Sequence, residues 1–308
     1  MKSEIPTKWK NVQFDVLDHV IKWESLRDWS LSSVYRITLQ STETKIAKWS
    51  GGNMTREIDV YNDLLIPLDI EKPIIYENHK SKLGSYIIMQ DLGKDTLEQK
   101  PLEKNFILAA KKLAHLHHQS TINIEKNLLP KETMKRYYVS LDIFIEELLY
   151  LNKHIFFTKI QKETISQLVK LFPKKIRKYY YIFPMTLIHN DYFPKNLIVT
   201  NENIKVIDWS NAYISHHLGD LYGLIKEAKY RHYNPKHIIQ AYYNEINNRP
   251  YTLTELNWFV DFSGICWYIH SIKWILDYGR KVIEGSEYWI ESMIINIEGL
   301  LRKIKIDC

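Results

Sequence analysis

The chain has 308 residues, of which 45% are hydrophobic and 25% charged, with a formal net charge of +6. That length suffices for two lobes with a substantial core, and the composition is ordinary for a soluble globular protein, excluding disordered and fibrous classes. Two cysteines, Cys266 and Cys308, are too few for a disulfide framework and fit a reducing compartment.

The opening segment "MKSEIPTKWKNV" lacks the continuous apolar core of a signal peptide. No uninterrupted apolar run is long enough to cross a bilayer, so the expectation is a cytoplasmic protein without a membrane partner. The lysines stand in short groups such as "KSK" and "KKIRK" within mixed segments, which argues against nucleic acid as the partner.

Val12, Val16, Val20 and Trp23 recur at near-helical spacing and predict an N-terminal helix over 11–23. The run "SVYRITLQ" then alternates, with Tyr35, Ile37 and Leu39 on one face. "STE" turns the chain into "TKIAKWS", where Ala47 flanks Lys48 and Trp49, and the pair reads as a hairpin. After the flexible "SGGN", the segment "MTREIDVYNDLL" carries Ile58, Tyr61 and Leu65 on one helical stripe. Two further apolar runs, "PIIYE" and "SYIIMQDL", bracket the polar "NHKSKLG" and predict a second hairpin.

From residue 93 onward the pattern changes to long helices. Phe106, Ala110, Leu113 and His117 follow helical spacing, as do positions in "MKRYYVSLDIFIEELLYLN", and a further helix covers 156–172. Strands around 186–208 interrupt this region, and helices resume at "GDLYGLIKEAKY". The composition shift near "MQDLG" marks a lobe boundary.

The polar stretch "HNDYFPKN", residues 189–196, connects the apolar runs "MTLI" and "LIVT". Turns use Asn, Asp and Pro freely, so alone it reads as a polar loop. The following "LIVTNENIKVIDW" reads as a strand, a turn at "NEN", and a strand ending at Asp208. This places Asp191, Asn196 and Asp208 at neighbouring ends of a small hairpin. Two carboxylates and a carboxamide on strand ends are hard oxygen ligands, which suit Mg²⁺ completed by phosphates and water. Phosphoryl transfer from ATP uses such a set, with a separate carboxylate to orient or deprotonate the acceptor hydroxyl.

With these residues the sequence resembles the protein-kinase-like fold, and more closely the aminoglycoside phosphotransferase and choline kinase superfamily. The resemblance rests on "LIHNDYFPKNLIV" and "IKVIDW", is supported by "AKKLAHLHH" and "GDLYGLI", and spans roughly residues 25–280. It implies an α+β bilobal fold, with a small β-rich nucleotide-binding lobe over 1–91. A larger, mainly helical lobe over 92–308 would carry catalysis and the acceptor.

Carried over position by position, the resemblance makes Asp191 the catalytic base or hydroxyl-positioning group and Asn196 and Asp208 the Mg²⁺ ligands. His189 would brace the catalytic loop, and Asp220 would cap or tie down the loop between Asp208 and the following helix. Lys48 would contact the α- and β-phosphates of ATP with Glu57 as its ion-pair partner; Lys45 and Asp59 are the alternatives for these two positions. Gln90, at the end of the second hairpin, joins the nucleotide-binding set. One feature departs from the kinase pattern. The stretch that should cover the phosphates, "RDWSLSSVYRI", has no glycine, and Ser30, Ser32 and Ser33 stand in its place.

Only eleven positions separate Asp208 from Asp220, too few for the regulatory segment of a protein kinase. The expected activity is therefore an ATP- and Mg²⁺-dependent phosphotransfer to a hydroxyl of a small molecule. By the resemblance an antibiotic is the first acceptor to expect, with a choline- or homoserine-like metabolic alcohol as the alternative. A non-catalytic protein of the spore-coat type is the reading from another class. Residues 201–270 hold seven acids and six Lys or Arg, so no acidic excess marks a polycation site. His115, His117 and His118 lack the i, i+4 pairing of a zinc-binding helix and read as structural or surface residues. Trp258, Phe262, Trp267, Tyr268 and Trp274 read mostly as core, while Asp261 and His270 between them are candidates to face the acceptor.

Overall fold

The computed structural model describes residues 4–201, 203–246 and 251–306, and it departs from the sequence pattern first between Val12 and Trp23. A short 3₁₀ turn covers Asp15–His19, and the chain then extends into strand β1, Val20–Asp28. β1 lies antiparallel to β2 (Ser32–Leu39), with Trp23 opposite Ile37 and Asp28 opposite Ser33. The expected helix is therefore replaced by a turn and an edge strand. Val12, Val16 and Trp23 do reach one apolar cluster, but they reach it by different local structures. The outer face of β1, with Lys22 and Glu24, is exposed, so the strand-favouring Val20, Ile21 and Trp23 lack the clean alternation that would report a strand.

The predicted hairpins follow. β2 pairs with β3 (Thr44–Ser50), and β4 (Ile75–Ser81) pairs with β5 (Gly84–Gln90), giving one antiparallel sheet of order β1-β2-β3-β5-β4. Most of the polar "NHKSKLG" is strand, and only Lys82 and Leu83 form the turn. One face of the sheet buries Ile37, Leu39, Ala47, Tyr86 and Ile88 around Trp9. The other packs Ile87 and Met89 against Ile58 of the helical segment between β3 and β4. That segment runs from a 3₁₀ turn at Gly52–Arg56 through α1 (Glu57–Val60) into a wide turn at Tyr61–Leu65, and its stripe of Ile58, Tyr61 and Leu65 is buried as predicted.

The remainder is mainly helical. α2 (Glu103–Glu125) buries Phe106, Ala110, Leu113 and His117 at its centre. The apolar run 134–152 is split into α3 (Lys131–Tyr137) and α4 (Leu141–Lys153), because Ser140 accepts the Ile143 N–H and starts a new helix. α5 spans Lys159–Tyr179.

Four short strands then carry the polar loop: β6 (Thr186–Ile188), β7 (Leu197–Val199), β8 (Ile204–Val206) and β9 (Tyr213–Ser215). β7 pairs with β8 as expected, whereas β6 pairs with the unpredicted β9. Glu202 in the "NEN" turn lies outside the described residues, as does Cys308.

α6 (Gly219–Tyr230), α7 (Pro235–Glu245), α8 (Leu253–Trp274), α9 (Arg280–Val282) and α10 (Trp289–Ile306) complete the fold. α8 starts in a reciprocal capping box between Thr252 and Glu255. It buries Phe262 and Tyr268, while Trp258, Trp267 and Trp274 are half-buried. Among the described residues no helix is long and apolar enough to cross a membrane.

Candidate active site

The site begins on a central strand. Lys48 sits on β3 between Val34 of β2 and Ile87 of β5, so its stem is enclosed and only its ammonium finds polar company. Its Nζ lies 2.6 Å from Oε2 of Glu57 and 2.9 Å from Oδ1 of Asp208. Lys45 instead meets Glu43 and the ring of Tyr76, and Asp59 pairs with Lys80 and Arg136. Glu57 is only 1% exposed and also accepts the Trp209 N–H through Oε1 at 3.3 Å. Burial works against the Lys48 ammonium, yet Asp208 and Glu57 outweigh it and raise its pKa. Burial likewise opposes ionisation of Asp208, but Lys48 holds its carboxyl well below the usual carboxylate range.

The polar loop after β6 is built on a carboxylate from α6. Asp220 accepts the His189 N–H at 2.6 Å and the Asn190 N–H at 2.9 Å, and burial pushes its own pKa up to about 7 against those two bonds. Nε2 of His189 donates to the Ile207 carbonyl at 3.0 Å, while Nδ1 accepts the Asp191 N–H at 3.2 Å. That pair of bonds fixes the tautomer, and burial lowers the imidazole pKa to about 4. His189 therefore braces the loop as a neutral ring.

Nδ2 of Asn196 donates to both the carbonyl and Oδ2 of Asp191, at 2.9 and 2.8 Å. With both amide hydrogens used, Oδ1 of Asn196 is the atom able to meet a cation. Oδ2 of Asp191 also lies 3.0 Å from Nζ of Lys195, and burial raises the Asp191 pKa. Asn190 and Asp208 both adopt φ of 63°, in the left-handed region that non-glycine residues seldom occupy. Ser210 Oγ donates to Oδ1 of Asp208 at 3.1 Å across that turn.

The turn between β1 and β2, Trp29–Leu31, stands where a phosphate-covering loop is expected. The Trp29 N–H donates to Ser32 O and the Gly51 N–H to Leu31 O, each at 2.8 Å. Ser30 Oγ reaches the Val282 carbonyl at 3.3 Å. Gly52, at φ 53°, packs so closely on the Tyr278 hydroxyl that a Cβ there would collide with it. The glycines missing from the turn are thus found beside it, after β3. Ser32 and Ser33 are buried at the start of β2, opposite Ser50 and Trp49. At the far end of the sheet, Gln90 pairs with Ile74 through its backbone N–H at 2.8 Å and its Oε1 at 3.3 Å.

Several contacts have no counterpart in the sequence reading. Arg36 forks onto Asp91, with Nε 2.6 Å and Nη2 3.2 Å from its carboxylate, and so clasps the connection between sheet and helices. Lys195 and Ser210 sit on the Asp191 and Asp208 carboxylates. The only signal for these was their place within or beside the two motifs. Of the other residues singled out, His117 is buried on the Tyr242 hydroxyl, His115 pairs with Glu245, and Asp261 pairs with Lys303 of α10. His270 bonds the buried Glu147 at 2.9 Å, with its ring beside Tyr213 and Phe144.

The model of the phosphotransferase enzyme family (APH) matches residues 50–244, more than half of the chain and the whole of the polar loop. The chain belongs to the phosphotransferase enzyme family. This phosphotransferase is a small-molecule kinase with the bilobal kinase-like architecture, and solved structures repeat its fold at low identity. Choline kinase from Cryptosporidium parvum Iowa II aligns with a TM-score of 0.62 at 18% identity, covering 98% of this chain and 94% of that one. A thermostable mutant of aminoglycoside phosphotransferase APH(4)-Ia, in ternary complex with ADP and hygromycin B, aligns at 0.59 and 11%, covering 92% and 94%. ADP-bound aminoglycoside phosphotransferase APH(2'')-Ib aligns at 0.58 and 16%, covering 92% of each chain. No curated protein matches the phosphotransferase's sequence.

Proposed function

We propose that this phosphotransferase moves the γ-phosphoryl group of Mg²⁺-bound ATP to a hydroxyl of a small molecule, first of all an antibiotic. The observation that carries the reading is Lys48, held between Glu57 and Asp208 at the meeting of the sheet and the polar loop. A lysine so placed can reach the α- and β-phosphates while Glu57 fixes its direction. Ser32 and Ser33 close over the phosphates from the start of β2, and Gln90 borders the base. Residues 1–91 serve as the nucleotide lobe and 92–308 as the catalytic and acceptor lobe.

The donor set fits Mg²⁺. Lys48 and Ser210 both engage Oδ1 of Asp208, so Oδ2 of Asp208 and Oδ1 of Asn196 are the oxygens that would hold the ion. Two protein oxygens completed by phosphates and water are what this cation prefers. When bound, the ion neutralises phosphate charge. Asp191 takes the acceptor's proton, and its raised pKa brings it closer to a base poised for neutral pH. His189, neutral and bonded at both nitrogens, keeps Asp191 in place.

One observation favours a metabolic alcohol as the alternative acceptor: the near-balance of acids and bases over 201–270, which gives no acidic surplus for a polycation. In either case the partners are a nucleotide and a small hydroxyl acceptor in the cytoplasm, with no nucleic acid or membrane involved. The test is nucleotide consumption across a panel of antibiotics and metabolic alcohols, preceded by thermal shift with Mg²⁺-ATP. A rise in Tm and consumption with one acceptor class is the expected result. No rise in Tm and no consumption would return the chain to the non-catalytic reading that its glycine-free turn suggests.

A further inference from the structure

Lys195 lies on the 3₁₀ turn Pro194–Asn196, four residues after Asp191. Its Nζ is 3.0 Å from Oδ2 of Asp191, the same oxygen that Asn196 meets at 2.8 Å. The backbone beneath it is firmly tied, since Asn196 N–H donates to Phe193 O at 2.8 Å and Glu98 N–H to Pro194 O at 3.2 Å. The side chain is 42% exposed, so a firmly tied backbone carries a charged side chain that is still partly open to solvent.

Lys48 cannot leave its place without stranding Glu57 in the interior. Lys195 can, because Asp191 retains Asn196 as a partner. An acceptor hydroxyl must come within about 3 Å of Asp191 to give up its proton. The phosphoryl group bonded to that oxygen then passes within reach of an ammonium already resting on Asp191. We propose that Lys195 is a catalytic residue whose ammonium moves from Asp191 to the non-bridging oxygens of the phosphoryl group in flight.

The inference rests on the phosphotransfer reading above. In the step, the bond between the γ-phosphorus and the β,γ-bridging oxygen breaks, and its electron pair leaves on ADP. The acceptor oxygen forms the new bond to phosphorus, and its proton passes to the Asp191 carboxylate. Lys195 stays an ammonium throughout and exchanges no proton. Its shift neutralises charge on the transferring group where that charge spreads.

Water as acceptor makes the test independent of the unknown alcohol. Phosphate release from Mg²⁺-ATP is measured for wild type, Lys195→Met and Lys195→Arg, with ADP binding followed by calorimetry. The expected result is unchanged ADP affinity, kcat lower by roughly 10²–10³ in Lys195→Met, and partial recovery in Lys195→Arg. Retained ADP binding also shows that the variant is folded. If wild type releases phosphate and Lys195→Met matches or exceeds it, Lys195 merely restrains Asp191 and the inference is overturned while phosphotransfer stands. If wild type neither binds Mg²⁺-ATP nor releases phosphate, the phosphotransfer reading falls and this inference with it.

Discussion

Asp220 holds Asn190 in its left-handed conformation: its Oδ1 accepts the Asn190 N–H at 2.9 Å, where φ is 63°, while Oδ2 takes the neighbouring His189 N–H at 2.6 Å. One carboxylate from α6 therefore sets the direction in which the chain leaves β6 and delivers Asp191. Asp220→Ala leaves two backbone donors without partners in the interior, at about 1–3 kcal/mol each. We expect a clear loss of stability in urea and a fall in turnover with nucleotide affinity largely retained. Wild-type stability in this variant would show that water replaces the carboxylate.

Lys48 invites a different experiment from the one its sequence position suggests. Read from sequence, Lys48→Ala weakens nucleotide use more than it weakens folding. Buried beside Glu57, it is also a structural lesion, since removing one member of a buried pair typically costs about 3–5 kcal/mol. Lys48→Met combined with Glu57→Gln removes both charges at similar volume. Urea unfolding should show the double variant more stable than Lys48→Met alone, and phosphate release should show both inactive. Equal stability of the two variants would mean that Glu57 finds another partner.

Asp191→Asn preserves size and can still accept from Asn196, but it cannot take a proton. Loss of general-base help is worth roughly 10²–10⁴ in rate. Single-turnover rates should fall by that order while Mg²⁺-ATP affinity changes little. A variant that loses nucleotide affinity instead would move Asp191 into the metal site, and an unchanged rate would remove it from the chemistry.

Acid should destabilise the fold through two buried histidines. Burial depresses the pKa of His117 and of His217 to about 3. Between that value and the ordinary 6.5, the unfolded chain binds protons that the native chain refuses. This contribution is complete above about 6.5 and is lost as pH falls, by about 2 kcal/mol per histidine at pH 5. Asp220, pushed up to about 7, acts in the opposite sense, so variants carry the test. The drop in urea midpoint from pH 7.5 to 5 should be smaller in His217→Gln than in wild type. An equal drop would locate the acid sensitivity elsewhere.

How far the sequence foretold all this depended on whether a feature was local. The β2–β3 and β4–β5 hairpins announce themselves because alternating apolar residues meet turn residues between them. β1 does not, since its outer face is charged, and the valines before it happen to fall at helical intervals. β9 is three residues long and makes sense only beside β6. The loop residues Asp191 and Asn196 become legible only together with the strand, turn and strand that end at Asp208. Contact between Lys48 and Asp208 spans 160 residues, and only the fold closes that distance. Arg36 and Lys195 look like surface charges in a line of letters, because their meaning lies in which carboxylate each one faces.

The turn between β1 and β2 and the glycine segment after β3 are both fastened to residues near the other end of the chain, through Ser30 on the Val282 carbonyl and Gly52 against the Tyr278 hydroxyl. Thermodynamic linkage gives that fastening a consequence. A ligand that shifts the 278–282 segment shifts nucleotide affinity, and nucleotide must change that ligand's affinity by the same factor. Gly52→Ala, whose added methyl would collide with the Tyr278 hydroxyl, should therefore alter nucleotide affinity, read by calorimetry with ADP.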